Sequence, residues 1–304
     1  MKNKSRAFSL IELSIVILII GILIAGITQA SRLVRESKLK TAQTLTKSSP
    51  VAGIPGLALW LEPTLDESFA IAGGADQAEE GAIVNQWNDI NPQSSSKYFM
   101  NNDTSAVTYS SSAGAYGLPS VRFDADGALN LSNDTFANSG TDVGLPIKYL
   151  TYFIVYQTAD SGANVEVEND SDATGYTVRY DHTTSARSFE YPQGAGSLQT
   201  TGGPTPSVAE IVSITLDSTS SNMYVNGVNA ASISGLASAT SSGSSDGIFQ
   251  LNNNGSEAEN FSELIIFDRA LKNEERQSVE EYLGKKYGIK VVKNTSAEAP
   301  GSSS

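Results

Sequence analysis

The chain has 304 residues, with 20 Lys and Arg against 33 Asp and Glu for a formal net charge of −13. Most of the acid lies late: residues 51–304 carry 12 basic and 31 acidic side chains, a surface that repels phosphate backbones and argues against a nucleic-acid function for this part. There is no cysteine, which excludes thiol catalysis, Cys-type zinc sites and disulfides, so the large acidic part must be held by an ordinary core.

The first element is a basic stub followed by an apolar run. Lys2, Lys4 and Arg6 form the stub, and Leu10 to Ile27 follows, eighteen residues whose one ionisable member is Glu12. At ~1.5 Å per residue this run crosses most of a ~30 Å hydrocarbon core. The positive-inside bias keeps the stub in the cytoplasm and sends the rest of the chain outward. A secretory signal has its small cleavage-site residues after the apolar stretch, but here Ala7 precedes it, so cleavage at Ala7 would leave the apolar helix on the mature chain. A carboxylate inside such a segment is costly enough to be a functional candidate by default.

Basic leader, small residue, Phe8-Ser9-Leu10-Ile11-Glu12 and an apolar helix together resemble the class III signal of type IV pilins and type II secretion pseudopilins. The resemblance implies that prepilin peptidase cuts between Ala7 and Phe8 on the cytoplasmic face and methylates the new Phe8 amine. It also implies that Glu12 neutralises the Phe8 amine of a neighbouring subunit as helices bundle into a helical homopolymer, with pilus or secretion assembly machinery as further partners. The residue before the cut is usually Gly in that family, so Ala7 is a departure that bears on cleavage efficiency.

Beyond the apolar run, Ser31 to Ser49 contains neither Gly nor Pro and is rich in Lys, Arg, Leu, Ala, Gln and Thr. The helix is therefore expected to continue over 8–49 and to stop at Pro50, a spine about 60 Å long at ~1.5 Å per residue. Gly21 and Gly26 are its candidate points for local melting or close helix contact. Arg32, Arg35, Lys38, Lys40 and Lys47 outnumber Glu36, so this stretch is basic.

A short linker, 50–56, leads to a head over 57–292 whose texture is β-rich runs broken by Gly, Ser, Asn and Asp. Strands are predicted at 57–62, 84–88, 107–110, 120–124, 128–131, 150–157, 176–181, 210–216, 222–226, 248–251 and 263–267. The 150–157 strand is apolar on both alternating faces and is expected to be central. Asn226-Gly227 carries the signal of a tight hairpin. One helix is predicted over Asn273–Tyr287, with Asn273 as N-cap, Glu274 and Glu275 at the positive end of the dipole, Lys285 and Lys286 at the negative end and Gly288 as exit. Val279, Tyr282 and Leu283 form its apolar stripe. The polar tail 293–304 is expected to be disordered.

The order of Leu-Ala-Leu-Trp-Leu-Glu at 57–62, Val-Asn-Gln-Trp-Asn-Asp at 84–89, Leu-Pro-Ser-Val-Arg-Phe-Asp at 118–124, Met-Tyr-Val-Asn-Gly at 223–227 and Phe-Ser-Glu-Leu-Ile-Ile-Phe-Asp-Arg-Ala-Leu at 261–271 resembles a laminin-G/concanavalin A-like lectin jelly roll. That family binds glycans or proteins and in places cleaves glycans. Cleavage needs two carboxylates across the scissile bond; hydrolases of this fold place them in Glu-x-Asp-x-x-Glu, and Glu166-Val167-Glu168-Asn169-Asp170 lacks that pattern. Glu168, Asp170 and Asp172, with Glu166, form an oxygen-rich cluster that is the candidate calcium site, against the plainer reading of a solvated acidic loop. Asp124 and Asp126 are a weaker second pair. His182, the one histidine, is read as a surface-loop residue, and Trp60 and Trp87 as core residues ahead of sugar-stacking ones.

The expectation is a long N-terminal helix carrying an all-β jelly-roll sandwich with a short C-terminal helix, not an enzyme. It would sit in the inner membrane as a precursor and then form a surface filament whose head binds glycan or protein. The alternatives are a periplasmic type II secretion pseudopilin and a membrane-tethered lectin or glycan hydrolase that never polymerises.

Overall fold

The computed structural model describes residues 10–69, 79–92, 98–101, 107–124, 127–131, 137–138, 142–143, 149–158, 165–170, 179–183, 185–190, 197–217, 220–234, 248–253 and 259–293. The predicted tail from residue 294 onward and the cleavage-site residues Ala7 and Phe8 lie outside them, as does Asp172.

Helix α1 (Leu10–Lys47) is continuous. It passes through Gly21 and Gly26 without a break, and no atom lies within 4 Å of where a Cβ would stand at either. The helix ends two residues before the predicted Ser49, at the approach to Pro50, and a single 3-10 turn over Val51–Gly53 leads to the head. Proline cannot supply the N–H that a further helical turn needs.

Among the described residues the strands in chain order are β1 (Leu57–Leu61), β2 (Gln86–Asn88), β3 (Tyr98–Asn101), β4 (Val107–Ser110), β5 (Ser120–Phe123), β6 (Ala128–Leu131), β7 (Ala137–Asn138), β8 (Asp142–Val143) and β9 (Leu150–Thr158), followed by β10 (Val165–Asp170), β11 (Arg179–His182), β12 (Arg187–Glu190), β13 (Ser197–Gln199), β14 (Glu210–Leu216), β15 (Ser221–Val225), β16 (Val228–Ile233), β17 (Ile248–Asn253) and β18 (Glu259–Phe267). Helix α2 (Asn273–Tyr287) is the last element among the described residues. One antiparallel sheet runs β16-β15-β14-β9-β18-β5-β4 and the other β13-β12-β11-β10-β17-β6-β3-β2, with β7 and β8 as a separate ribbon. Strand β1 pairs with the C-terminal half of β18, while β5 takes its N-terminal half.

The first sheet is buried on both faces, which explains why its central strands read as unbroken apolar runs. Tyr152, Ile154 and Tyr156 of β9 point into the core between the sheets, and Phe153 and Val155 point the other way, against α2. Strand β9 is central as expected, paired with β14 and β18. Trp87 and Phe69 stack at 6.0 Å inside the sandwich, and Trp60 packs on the helix side against Tyr282. Both tryptophans are core residues, as read.

Two bulges set which side chains reach the helix layer. Strict alternation would put Phe261, Glu263 and Ile265 on one face. A register shift at Ser262 reverses the parity. Phe261 stays between the sheets while Ile265 and Phe267 face α2, and Glu263 with them. A similar shift between Leu57 and Leu59 leaves Leu59 and Leu61 between the sheets and aims Trp60 at the helix side. Re-aiming a side chain is the usual consequence of one extra residue in a strand.

The predicted hairpin is present: Asn226 and Gly227 have φ of 51° and 82° between β15 and β16. A Cβ on Gly227 would lie 2.3 Å from the Val292 carbonyl oxygen, so Gly227→Ala meets both a left-handed backbone and a closed space. The expected loss is about 2 kcal/mol or more, read as a lower urea midpoint of the detergent-solubilised chain; an unchanged midpoint would show that the C-terminal segment yields freely there.

Candidate functional site: an exposed helix locked to the head by buried charge

Helix α1 divides into two parts with different surroundings. The large apolar residues from Leu10 to Ile27 are 49–84% exposed, and among the described residues this is the one helix long and apolar enough to cross a membrane. Among the described residues, none of the head buries them. An apolar surface of this extent is not tolerated in water, so it marks a membrane or a partner. Glu12 lies in the first turn of this exposed part.

The second part of the helix is docked. Ala42 and Thr46 are buried, Gln43 donates to the Thr64 carbonyl at 2.9 Å, and the Tyr282 hydroxyl of α2 lies 3.2 Å from Thr46 Oγ1. That hydroxyl donates to Glu263 Oε1 at 2.9 Å, which opens onto a fully buried charged centre. There Lys286 Nζ lies 2.8 Å from Glu62 Oε2 and 2.8 Å from Glu263 Oε2.

The centre is saturated with donors. Glu62 accepts from the Thr64 and Leu65 amides at 3.0 and 2.7 Å and from Ser68 at 2.8 Å. Glu263 accepts from Trp60 Nε1 at 2.8 Å and Tyr287 at 2.8 Å besides Tyr282. Complete burial alone would push Glu62 up, but the charge of Lys286 and the hydrogen bonds from Lys286, Thr64 and Ser68 outweigh it and hold Glu62 below the usual carboxylate range. Burial likewise opposes the charge on Lys286, and Glu263 and Glu62 overcome it, raising the ammonium above its ordinary value. Burial, then the two carboxylates, drives Tyr282 and Tyr287 well up, so both stay neutral donors.

By sequence position Lys285 and Lys286 both suit the negative end of the helix dipole. Lys285 does sit on the surface, paired with Glu281 at 2.9 Å, but Lys286 is a core residue. Its position offered a signal: Val279, Tyr282, Leu283 and Lys286 follow the i, i+3, i+4, i+7 spacing of one buried helix face. The N-cap is Lys272 and not Asn273. Glu275 reaches back to the Lys272 amide at 3.0 Å and is gripped at both oxygens by Arg269, at 2.6 and 2.9 Å, which starts the helix one residue earlier than the Asn signal implied. Gly288 closes it at φ 64° as expected.

His182, expected on a surface loop, is instead buried at the end of β11. Its ring stacks on Tyr156 at 4.9 Å, and Nε2 lies 3.0 Å from Glu259 Oε1. Burial raises the Glu259 pKa. Nearby Arg187 grips Glu210 through Nε and Nη2, both at 2.5 Å, and the Tyr156 hydroxyl donates to the same carboxylate and meets that of Tyr180 at 2.9 Å. Tyr156, Glu210 and Glu259 belong to the first sheet; Tyr180, His182 and Arg187 belong to the second. The network therefore ties the two sheets together at one end of the sandwich.

The candidate calcium ligands fall differently from the predicted loop. Glu166, Glu168 and Asp170 lie along β10, whose backbone pairs with β17 on one side and β11 on the other, Glu168 standing opposite Gln250 and Arg179. Among the described residues no group of three or more His, Cys, Asp or Glu is placed to hold a metal ion. Asp124 pairs with Arg122 at 3.0 Å, and Asp126 lies outside the described residues.

The exposed apolar part of the helix lies inside a recognised sequence motif. Residues 2–28 are a prokaryotic N-terminal methylation motif. That motif and the uncovered apolar helix make the chain a membrane-anchored precursor of the kind that prepilin peptidase processes. A comparison with curated proteins finds no match. Among solved structures, the head is similar to the binding domain of botulinum neurotoxin DC, solved in complex with SialylT, at 10% identity and TM-score 0.51 over 75% of this chain and 52% of that one. The binding domain of Paraclostridial mosquitocidal protein 1 gives 13% and 0.49 over 75% and 52%, and Trypanosoma rangeli sialidase 14% and 0.47 over 86% and 40%. The chain thus spans about half the length of these binding domains. At such identity the likeness concerns the fold, a lectin-like β-sandwich of jelly-roll type.

Proposed function

We propose that the protein is a structural subunit of a type IV pilus-like filament, whose laminin-G-like head faces outward and binds glycan or protein. The carrying observation is the exposure of the apolar half of α1, which lies within a methylation motif, on a chain whose other half of the same helix is built into the head. Such a subunit can exchange lipid for neighbouring helices without refolding. Glu12 is the assembly residue in this reading, pairing with the Phe8 amine of the next subunit. The buried networks around Lys286 and His182 serve the fold, so the reading is structural and not enzymatic.

Electron cryomicroscopy of sheared surface material from producing cells tests the proposal. Fibres whose subunits show this two-sheet head around a helical bundle are expected. A bundle found only in the periplasm would assign the chain to a secretion pseudopilus, and membrane-bound monomers alone would make it a tethered binding protein.

A further inference from the structure

Where the spine leaves the apolar run, the head comes down to meet it. A cleft of about 360 Å³ opens there between α1 and the loop around Gly117, bordered by Arg32, Arg35 and Glu36 on the helix and by Tyr109 and Glu80 on the head. A recess beside it joins Ile27 and Thr28, at the top of the apolar run, to Lys38 and to Ser112 and Gly117 of the head. At ~1.5 Å per residue, Arg32 and Arg35 stand roughly 8 and 12 Å beyond Ile27 along the helix. When the apolar run fills the hydrocarbon, that height is the headgroup layer.

The chemistry there suits a lipid phosphate. Arg32 engages Glu36 through Nε at 3.2 Å in a pair that is well exposed, which water and salt screen. Arg35 has no hydrogen-bond acceptor among the described residues; Glu80 feels its charge but takes its own hydrogen bonds from Ser110 at 2.7 Å and the Ser111 amide at 2.6 Å. Guanidinium groups are suited to bidentate recognition of phosphate oxygens.

Tyr116 completes the face. It is 56% exposed, adopts φ 62°, a left-handed backbone that tyrosine disfavours, and carries Lys38 Nζ 4.0 Å above its ring while its carbonyl accepts from the same Lys38 at 3.1 Å. An exposed tyrosine between cations and an apolar helix is the composition of a membrane interface. The rest of the head is strongly acidic, so an anionic bilayer repels every other orientation.

We propose that this face is a docking site for the phosphate headgroups of anionic phospholipids, held by Arg32 and Arg35 with Tyr116 in the interface, which seats the unassembled subunit on the outer leaflet. The inference rests on α1 spanning the membrane as the precursor's anchor. The same cations then become available to acidic heads only when the subunit leaves the lipid.

The test is electron spin resonance of spin-labelled phosphatidylglycerol and phosphatidylcholine in vesicles carrying the full-length protein. A phosphatidylglycerol preference is expected, falling on the order of 20- to 30-fold at most in Arg32→Gln/Arg35→Gln, since each basic residue near the surface contributes about five-fold. Lys47→Gln, roughly 20 Å further along the helix, should leave the preference intact. Tyr116→Gly removes the ring from a backbone glycine prefers, and should weaken the preference without unfolding the head. Millimolar inorganic phosphate should not displace the lipid. Equal association of the two lipids, a loss as large in Lys47→Gln as in the double variant, or displacement by free phosphate each overturns the proposal. Failure of the protein to enter vesicles at all would instead overturn the membrane reading of α1.

Discussion

Lys286→Met should destabilise the detergent-solubilised chain by about 3–5 kcal/mol, the range for removing one partner of a buried ion pair. The reason is what remains. Glu62 and Glu263 are both fully buried, and each now faces Lys286 at 2.8 Å. Without the ammonium, the remaining neutral donors no longer compensate two carboxylates, and at least one must take a proton or open the spine–head joint to water. Lys286→Arg is no rescue, because a planar fork does not replace a point charge held between two carboxylates and two tyrosines.

The pH dependence separates this account from simple loss of packing. In the native protein Glu62 is held below its unfolded pKa of about 4.3. Its contribution is therefore present above that value and lost as the pH falls through the folded pKa. Lys286 is raised, so its contribution is complete below its unfolded value of about 10.4 and lost as the pH rises through the folded one. Stability supplied by the cluster should be flat from pH 5 to 9 and fall in acid. In Lys286→Met the carboxylates are desolvated without a counter-charge, the folded state binds the extra proton, and stability should decline as the pH rises from 5 to 8. Urea midpoints at pH 5 and pH 8 measure the sign; parallel shifts of native and variant at both would make the loss one of packing alone.

That cluster also shows how far the sequence could be read. The strands at 107–110, 128–131 and 210–216 and the helix at 273–287 stand where the pattern placed them, because each is bounded by turn residues and carries an unambiguous apolar period. Strands β3, β7, β8, β10, β12, β13 and β16 have no counterpart among the predicted strands. Val165–Asp170 alternates valine with acid, and Val228–Ile233 is an exposed edge whose pairing comes from the Asn226-Gly227 turn and not from its own hydrophobicity. Period-two reasoning also puts Glu263 between the sheets with Phe261. Only the bulge at Ser262, which no local residue type announces, turns it toward Lys286. His182 looked like a loop residue for a related reason: its partners Tyr156 and Glu259 come from strands 26 and 77 residues away. For the N-terminal motif the reverse holds. It acts through local spacing, Phe8 to Glu12 ahead of an apolar run, and needs no tertiary contact to be recognised.

Glu12→Leu should leave the chain in the membrane and abolish filaments. The substitution makes the apolar run longer, so insertion and the membrane-fraction yield should not fall. Two roles for the carboxylate predict different sizes of effect. As a charge in the first turn of α1 it favours the positive end of the helix dipole, worth about 0.3–1 kcal/mol, and its loss would lower filament yield less than ten-fold. As the partner of a neighbour's Phe8 amine inside a helical bundle, its removal strands a buried cation and costs about 3–5 kcal/mol for every subunit added. Elongation would then weaken by roughly two to three and a half powers of ten, each 1.4 kcal/mol being ten-fold. Quantifying sheared filaments against membrane-bound subunit in Glu12→Leu and Glu12→Gln therefore decides between a dipole partner and an assembly residue. Normal filaments in Glu12→Leu would remove Glu12 from the assembly mechanism and leave the exposed apolar face of α1 to drive bundling by packing alone.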